Sequence, residues 1–210
     1  MATIRVLLGI ICLAAFGWSW GIGSSALGSR ESLVLSRESL VISREAGRSV
    51  LIRRPQSPAD LVRSHVLTIA KAQLGVREAT RKNDGHSVEQ YLAYTGNKKG
   101  DPWCAAFVSW VFGQAGFALP RTAWSPALFP LNRQTLLIKP AVVFGIYFPE
   151  LKRIAHCGLV EKQNGNWIYT IEGNTNFAAG REGDGVYRKI RHLKTIGYYA
   201  DWVKRGGKVK

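Results

Sequence analysis

One cysteine of the chain lies where a helix is predicted to begin, in the stretch GDPWCAAFVSW. Asp101 can cap this helix, Pro102 suits its first position, and Cys104 then falls in the first turn. Unpaired N–H groups and the positive end of the helix dipole favour a thiolate there, and a thiolate is a nucleophile. Free cysteine is also a common core residue, so a purely structural Cys104 is the alternative. The position makes Cys104 a candidate nucleophile.

A cysteine nucleophile needs a base nearby, and one of the four histidines suits that role. His156 lies in IAHCGLVE, where apolar residues on both sides predict a mostly buried strand. A buried imidazole without a partner is unfavourable, so a polar group is expected to face it. Of the other histidines, His65 and His86 occupy places compatible with ordinary surface roles, and His192 follows a basic strand. His156 is therefore the candidate base.

The partner of His156 depends on how two consecutive strands pair. AHCGLVEK is followed by a turn and then by NWIYTIEGN, a pattern typical of a β-hairpin. A three-residue turn that ends with Gly165 in the left-handed conformation places Glu172 directly opposite His156. Asn174 then lies one step along the same face. A two-residue turn at Asn164 and Gly165 would instead put Glu172 on the other face. We predict the first register, in which a carboxylate or an amide orients the imidazole.

A disulfide between Cys104 and Cys157 is the alternative use of these cysteines. They are the only cysteines after residue 26, and an even number is typical of disulfides in exported proteins. Alternation along a strand separates the two hypotheses. If His156 faces Cys104, Cys157 points to the opposite face and packs in the core. We predict free thiols, because a bond between the two would destroy the nucleophile.

The segments DPWCAAFVSW, AHCGLVE and IEGN, in this order, resemble the CHAP family of cysteine, histidine-dependent amidohydrolases and peptidases. The resemblance covers about Ala59 to Trp202. On the matching positions it implies Cys104 as the nucleophile and His156 as the base. It implies Glu172 as the orienting acid and Asn174 as a further polar residue of the site. It also implies a papain-like fold, related to that of NlpC-type cell-wall peptidases.

The same resemblance implies a substrate and a reaction. Members of this family hydrolyse amide bonds in bacterial peptidoglycan, which makes peptidoglycan the expected partner of this chain. The reaction would be that of an endopeptidase, within the stem peptide, or of an N-acetylmuramoyl-L-alanine amidase, between sugar and peptide. Two alternatives share the site: a non-catalytic wall-binding module, and an acyltransferase that forms the same acyl-enzyme.

The chain departs from the family pattern in two places. Family members often carry a Gly-Asp pair where the central strand begins, and Pro140-Ala141-Val142 has neither residue. Some members bind calcium through acidic residues ahead of the cysteine, whereas NKKGDPWC has only Asp101. Asn83-Asp84-Gly85 lacks the other ligands of a calcium loop, and the sequence has no zinc pattern. We therefore predict neither a metal ion nor another cofactor.

The elements that must position these residues are helices followed by strands. The stretch SPAD at 57–60 predicts a capped helix start, and Ser87–Gln90 predicts a capping box for a short helix that ends before Gly96. After Pro120 the pattern changes to short β-branched or aromatic segments: AVVFGIYF, AHCGLVEK, NWIYTIEG, GVYRKI and IGYYADWV. This order predicts an α+β domain whose N-terminal helices pack on an antiparallel β-sheet.

Three regions are candidates for shaping a substrate groove. The proline-containing segment Arg121–Pro140 is predicted to form a loop over the cleft. Trp103, Trp124 and the glycine-rich stretch Gly180–Arg188 are candidates for lining it. Plain packing, or ordinary loop structure, is the alternative for each of them.

The N-terminal part of the chain differs from the rest in composition. Residues 1–26 have one basic residue, then an apolar run, then Ser24-Ser25-Ala26, which predicts a secretory signal peptide. An uncleaved membrane anchor is the alternative. Residues 27–56 contain the repeats SRESLVL and SRESLVI and are interpreted as a low-complexity, partly helical spacer. Residues 57–210 form the predicted catalytic domain, which would be secreted, periplasmic or held in the cell envelope.

The formal net charge of +15 favours polyanionic partners. The predicted signal peptide argues against nucleic acid, and the sequence has no helix-turn-helix, zinc-finger or RNA-binding signature. An anionic polymer of the cell envelope agrees with both observations. A basic but simply solvated surface is the alternative.

Overall fold

The computed structural model describes residues 56–177 and 183–204 with their side chains, and the backbone of residues 40–45 and 48–53. The chain divides into two compact units, Met1–Arg54 and Pro55–Lys210. In the first unit, strands β1 (Leu40–Glu45) and β2 (Arg48–Arg53) pair as an antiparallel hairpin. The prediction of partial helix is wrong for these residues. The predicted signal peptide and the first copy of the repeat lie outside the described residues.

The second unit begins with helix α1 (Pro58–Ala72). Its start is the predicted capping box, in which Ser57 and Asp60 satisfy each other's backbone N–H groups. Arg63 of this helix is buried, and its Nη2 donates to Asp201 Oδ2 at 2.5 Å. The pair ties α1 to the segment that follows the last strand, near the C-terminal end of the described residues.

Helices α2 (His86–Tyr94) and α3 (Cys104–Gln114) follow. Both start at residues other than the predicted ones. The N-cap of α2 is Gly85 rather than Ser87, because the Glu89 carboxylate accepts a hydrogen bond from the Gly85 N–H at 3.1 Å. The N-cap of α3 is Trp103 rather than Asp101, whose carboxylate binds within its own loop. The helix therefore begins two residues later than predicted, and Cys104 is its first residue rather than its third.

Five antiparallel strands form the sheet of the second unit, in the order β6-β5-β4-β3-β7. They are β3 (Val143–Phe148), β4 (Arg153–Asn164), β5 (Trp167–Thr175), β6 (Gly185–His192) and β7 (Tyr198–Ala200). Each coincides with one of the five predicted segments. The described part of this unit thus combines helices with an antiparallel sheet, which confirms the predicted class at that level.

Helix α3 lies in the middle of the main core. Its buried residues surround the helix, as expected for an element covered on all sides: Cys104, Ala105, Ala106, Phe107, Val108, Ser109, Val111 and Phe112. A Cβ at Gly173 of β5 would lie 2.7 Å from Trp103 and 2.8 Å from Phe107. Glycine at this position therefore lets the start of α3 approach the sheet closely, which is where Cys104 lies.

The segment predicted to form a loop over the cleft contains two short 3-10 helices, Ser125–Leu128 and Leu131–Arg133. It is anchored to the segment that follows β7, because Trp202 Nε1 donates to the Leu128 carbonyl at 3.1 Å. Among the helices of the described residues, none combines the length and the apolar character needed to cross a bilayer.

Candidate active site

Cys104 is buried at the N-terminus of α3, with 5% of the residue exposed. No side chain caps this end of the helix, so its first backbone N–H groups are available to an anion. The Ser125 hydroxyl lies 3.4 Å from the Cys104 sulfur. The predicted position in the first helical turn is confirmed, whereas the contact with Ser125 had no signal in the sequence.

Three groups lower the pKa of the Cys104 thiol. A hydrogen bond with Cys157 has the largest effect, burial acts in the opposite direction, and His156 and Ser125 lower the pKa further. The pKa of Cys104 is thereby held well below that of an ordinary thiol. The pKa of Cys157 is raised well above the ordinary value, first by burial and then by Cys104. Of the two thiols, Cys104 is therefore the more readily ionised.

The position of Cys157 corrects a prediction. Strand alternation predicted that Cys157 would point away from Cys104. Cys157 instead lies in the same core cluster as Cys104 and interacts with its sulfur. His156 and Cys157 still alternate, since they pair in regular register with Ile146 and Gly145, so Cys104 interacts with side chains from both faces of β4. The two thiols are free, with no disulfide between them.

His156 Nε2 lies 2.8 Å from Glu172 Oε2. The predicted contact between the two residues is present, because a carboxylate accepts the hydrogen of Nε2. This leaves Nδ1 as the ring nitrogen that can exchange a proton with Cys104. The imidazole is thus held from one side by a buried carboxylate and interacts with the thiol from the other.

The hairpin register that produces this contact differs from both predicted registers. Its two-residue turn consists of Gly165 and Asn166, since Asn164 pairs with Trp167. That pairing alone would have put Glu172 on the wrong face. A shift in register between Val160 and Lys162 moves the pairing by one residue, which restores the face.

Beyond this shift Leu159 pairs with Ile171, so the next residues, Gly158 and Glu172, lie opposite each other. A Cβ at Gly158 would lie 2.9 Å from Glu172 Cγ. Glycine therefore leaves the space in which the Glu172 side chain extends diagonally to His156, two residues along the same face. The contact is diagonal rather than direct.

Glu172 is fully buried and accepts several hydrogen bonds besides that of His156. Arg191 Nε lies 2.6 Å from Oε1 and Arg191 Nη2 lies 2.5 Å from Oε2, while the Thr170 hydroxyl donates to Oε1 at 2.5 Å. A buried carboxylate needs such partners to stay ionised. Sequence reasoning missed Arg191 and Thr170. The pairing of Arg191 with Ile168 places it on the face of Thr170 and Glu172, a signal that requires the register between β5 and β6.

The charges of the site support one another at neutral pH. Burial alone would lower the pKa of His156, but Cys104 and Glu172 together raise it to about 9. Burial likewise opposes the charge on Glu172, but Arg191 and His156 lower its pKa to about 2. These shifts favour a Cys104 thiolate beside a His156 imidazolium, with a Glu172 carboxylate behind it. This arrangement can attack an electrophilic carbon and then deliver a proton.

Asn174, the further polar residue implied by the resemblance, lies at an irregular point of β5. The pairing of β5 with β6 shifts between Glu172 and Thr175, and Asn174 has a left-handed backbone with φ of 52°. Among the described hydrogen bonds of Cys104, His156 and Glu172, none involves the Asn174 side chain. The structure brings Cys104, His156 and Glu172 into contact and shows no hydrogen bond from the Asn174 side chain to any of the three.

A pocket opens beside Cys104 and includes one of the predicted groove residues. Trp124 lines it and is 54% exposed. Trp103 is fully buried instead, where its Nε1 donates to Glu78 Oε1 at 2.8 Å, so the prediction for Trp103 is wrong. Of the stretch Gly180–Arg188, residues 183–188 are described, and they do not line this pocket.

The described residues contain no group of three or more His, Cys, Asp or Glu side chains placed to hold a metal ion. The Asp84 carboxylate accepts hydrogen bonds from the Thr80 N–H and hydroxyl, at 2.8 and 2.6 Å. It thus organises its own loop.

Compared with known proteins, the chain matches none of the protein-family models. No curated protein is significantly similar to it in sequence either. The geometry of the site and the physical chemistry of its residues therefore carry the functional argument.

Proposed function

We propose that this chain is an exported cysteine hydrolase that cleaves amide bonds in bacterial peptidoglycan, through a papain-like catalytic domain of the CHAP type. The observation that carries the proposal is the Cys104–His156–Glu172 arrangement, in which a thiol at a helix N-terminus interacts with an imidazole oriented by a buried carboxylate. Peptidoglycan as the substrate is supported by the resemblance of the three motifs and by the net charge of +15.

In the first half of the reaction, the Cys104 thiolate attacks the carbonyl carbon of the scissile amide. The electron pair of the C=O bond moves to oxygen, and N–H groups at the start of α3 stabilise the oxyanion. When the intermediate collapses, the C–N bond breaks and the His156 imidazolium gives its Nδ1 proton to the leaving nitrogen. The products are a free amine and a thioester on Cys104.

In the second half, the neutral His156 ring takes a proton from a water molecule that attacks the thioester. The C–S bond breaks, the carboxylic acid leaves, and the thiolate–imidazolium pair forms again. Glu172 stabilises the imidazolium at both ends of the cycle, and Arg191 and Thr170 keep Glu172 ionised and oriented. His156 thus acts as acid in one half and as base in the other.

The buried ionisable groups of the site favour an enzyme over a wall-binding module. Glu172 is fully buried, and the His156 side chain is 13% exposed. Keeping such charges inside a protein is costly unless they are paired. Binding alone does not require a thiolate whose stabilisation needs buried charges, whereas nucleophilic catalysis does.

Incubation of purified peptidoglycan with the protein tests the proposal. Mass spectrometry of the soluble fragments should show hydrolysis at an amide bond, and the masses distinguish a cut within the stem peptide from one between sugar and peptide. Cys104→Ala should release none of these fragments while keeping the thermal unfolding profile of the unchanged protein. Fragment release by Cys104→Ala at the unchanged rate would overturn the cysteine mechanism. Binding without any fragments would favour the wall-binding module, and joined fragments would favour acyl transfer.

A further inference from the structure

The pocket beside Cys104 has a volume of about 450 Å³, within the usual range for small-ligand sites. Its lining includes Cys104 and Ser125, and it also includes two cationic residues, Arg121 and Arg153. A substrate whose scissile bond lies at Cys104 therefore shares its pocket with two arginines.

Each of these arginines is held in place by an aromatic ring and a backbone carbonyl. Arg121 Nε donates to the Tyr94 carbonyl at 2.8 Å, and its guanidinium lies 4.8 Å from the centre of the Tyr94 ring. Arg153 Nη1 donates to the Ile154 carbonyl at 3.2 Å, and its guanidinium lies 4.5 Å from the centre of the Trp124 ring. Stacking and one hydrogen bond orient a guanidinium while leaving further N–H donors free.

Neither arginine has an acidic partner in the part of the chain that the structure describes. The described arginines that do form ion pairs lie elsewhere: Arg63, Arg188 and Arg191. One carboxylate, that of Asp101, lines the same pocket, but it accepts hydrogen bonds from the Asn97 side chain and the Lys98 N–H, each at 3.1 Å. Two oriented cations against one engaged anion leave the pocket with an excess of positive charge.

We propose that Arg121 and Arg153 bind a free carboxylate of the substrate, so that the enzyme prefers peptides that carry a carboxylate near the scissile amide. A guanidinium offers paired N–H donors whose geometry matches the two oxygens of a carboxylate. The reaction at Cys104 is that of the proposed function, on which this inference rests. The carboxylate preference itself depends only on the pocket and can be measured without wall substrate.

Alkylation of Cys104 by two small reagents measures this preference. Iodoacetate and iodoacetamide react with a thiolate in the same way, by displacement of iodide, but only iodoacetate carries a carboxylate. Mass spectrometry of the labelled peptide gives the rate with iodoacetate divided by the rate with iodoacetamide. This ratio should fall roughly two- to fivefold in Arg153→Gln or Arg121→Gln, as expected for a partly exposed ion pair. Arg188→Gln, which removes the same charge outside the pocket, should leave the ratio unchanged.

A ratio that stays the same in both pocket variants would overturn the proposal, whether or not the protein cleaves peptidoglycan. The substrate class is tested on soluble wall fragments, before and after conversion of their free carboxyl groups to amides. Amidation should raise KM for the unchanged protein, and Arg153→Gln should remove most of that difference. If amidation leaves KM unchanged while the alkylation ratio falls in the pocket variants, the inference of a carboxylate-bearing substrate is wrong. If no fragment is cleaved although the ratio responds, the proposed function fails and the carboxylate site stands.

Discussion

The two faces of the five-stranded sheet bury different kinds of side chains. The residues of the sheet that pack directly against α3 are apolar, such as Leu159 and Ile171 in the main core, and the thiol of Cys157 lies among them. The other face carries a smaller apolar cluster around Phe144 and, beside it, a hydrogen-bonded network of titratable side chains. In this network, His156 and Arg191 each form a hydrogen bond with the Glu172 carboxylate.

This difference shows how one sheet can serve both stability and chemistry. On the face towards α3, burial is tolerated because the side chains need no partners. On the other face it is tolerated because both Glu172 oxygens have donors. Substitutions on the face that carries His156 and Glu172 should therefore alter the pH dependence of activity. Substitutions on the face towards α3 should lower stability without moving the alkaline limb of the pH–activity profile.

The largest effect should come from Glu172→Gln, which keeps the shape of the side chain but removes its charge. Turnover should fall roughly tenfold to a thousandfold, the range typical of positioned acid–base groups. The carboxylate helps to raise the pKa of His156 to about 9, so its loss lowers that pKa. Because the imidazolium is the required form, the alkaline limb of the pH–activity profile should move to lower pH.

The matched control for Glu172→Gln is the adjacent residue on the other face. Ile171→Val should cost about 0.5–1.5 kcal/mol of unfolding free energy and leave the alkaline limb in place. An unshifted limb in Glu172→Gln, with full activity, would show that Glu172 does not set the charge of His156.

A smaller effect should separate two glycines, one on each face. A Cβ at Gly158 would meet Glu172, and a Cβ at Gly173 would meet Trp103 and Phe107. Each Gly→Ala change should destabilise the protein by about 1–3 kcal/mol, as overpacking does. Gly158→Ala alone should also shift the alkaline limb, because it displaces Glu172 from His156. Equal shifts in both variants, measured on the folded protein, would remove the distinction between the faces.

Cys157 provides a test at the point where the α3 face reaches the site. Its hydrogen bond is the largest influence that lowers the pKa of Cys104, so Cys157→Ala should raise that pKa. Since the thiolate is the reactive form, the acid limb of Cys104 alkylation should move to higher pH. Cys157→Ser keeps a donor and should stay close to the unchanged protein. An acid limb unmoved by Cys157→Ala would mean that Cys157 only fills space.

The smallest effect is expected at Asn174, whose left-handed backbone suggests a conformational role. Asn174→Gly, which adopts this conformation without strain, should change turnover less than about threefold. Asn174→Ala should lose about 1 kcal/mol of stability or somewhat more from backbone strain. A tenfold or greater loss of kcat in Asn174→Gly would instead place the amide in the catalytic group.

The sequence by itself determined the elements and the residue types of the site. The capping box at Ser57, the five strand segments and the helix that starts near Cys104 all follow from local rules of capping and alternation. The approach of His156 to Glu172 was also predictable, since a buried imidazole requires a polar partner and the hairpin offered one.

Only the tertiary structure decided the geometry of the site. The predicted hairpin registers were both wrong, and the contact between His156 and Glu172 arises from the register shift between Val160 and Lys162 together with the space at Gly158. Such a shift depends on what packs against both faces of the strand, which a local pattern does not contain. The partners Arg191 and Ser125 likewise come from other elements, and the contact of Cys157 with Cys104 depends on how α3 packs on the sheet, so all three become visible only when the chain is folded.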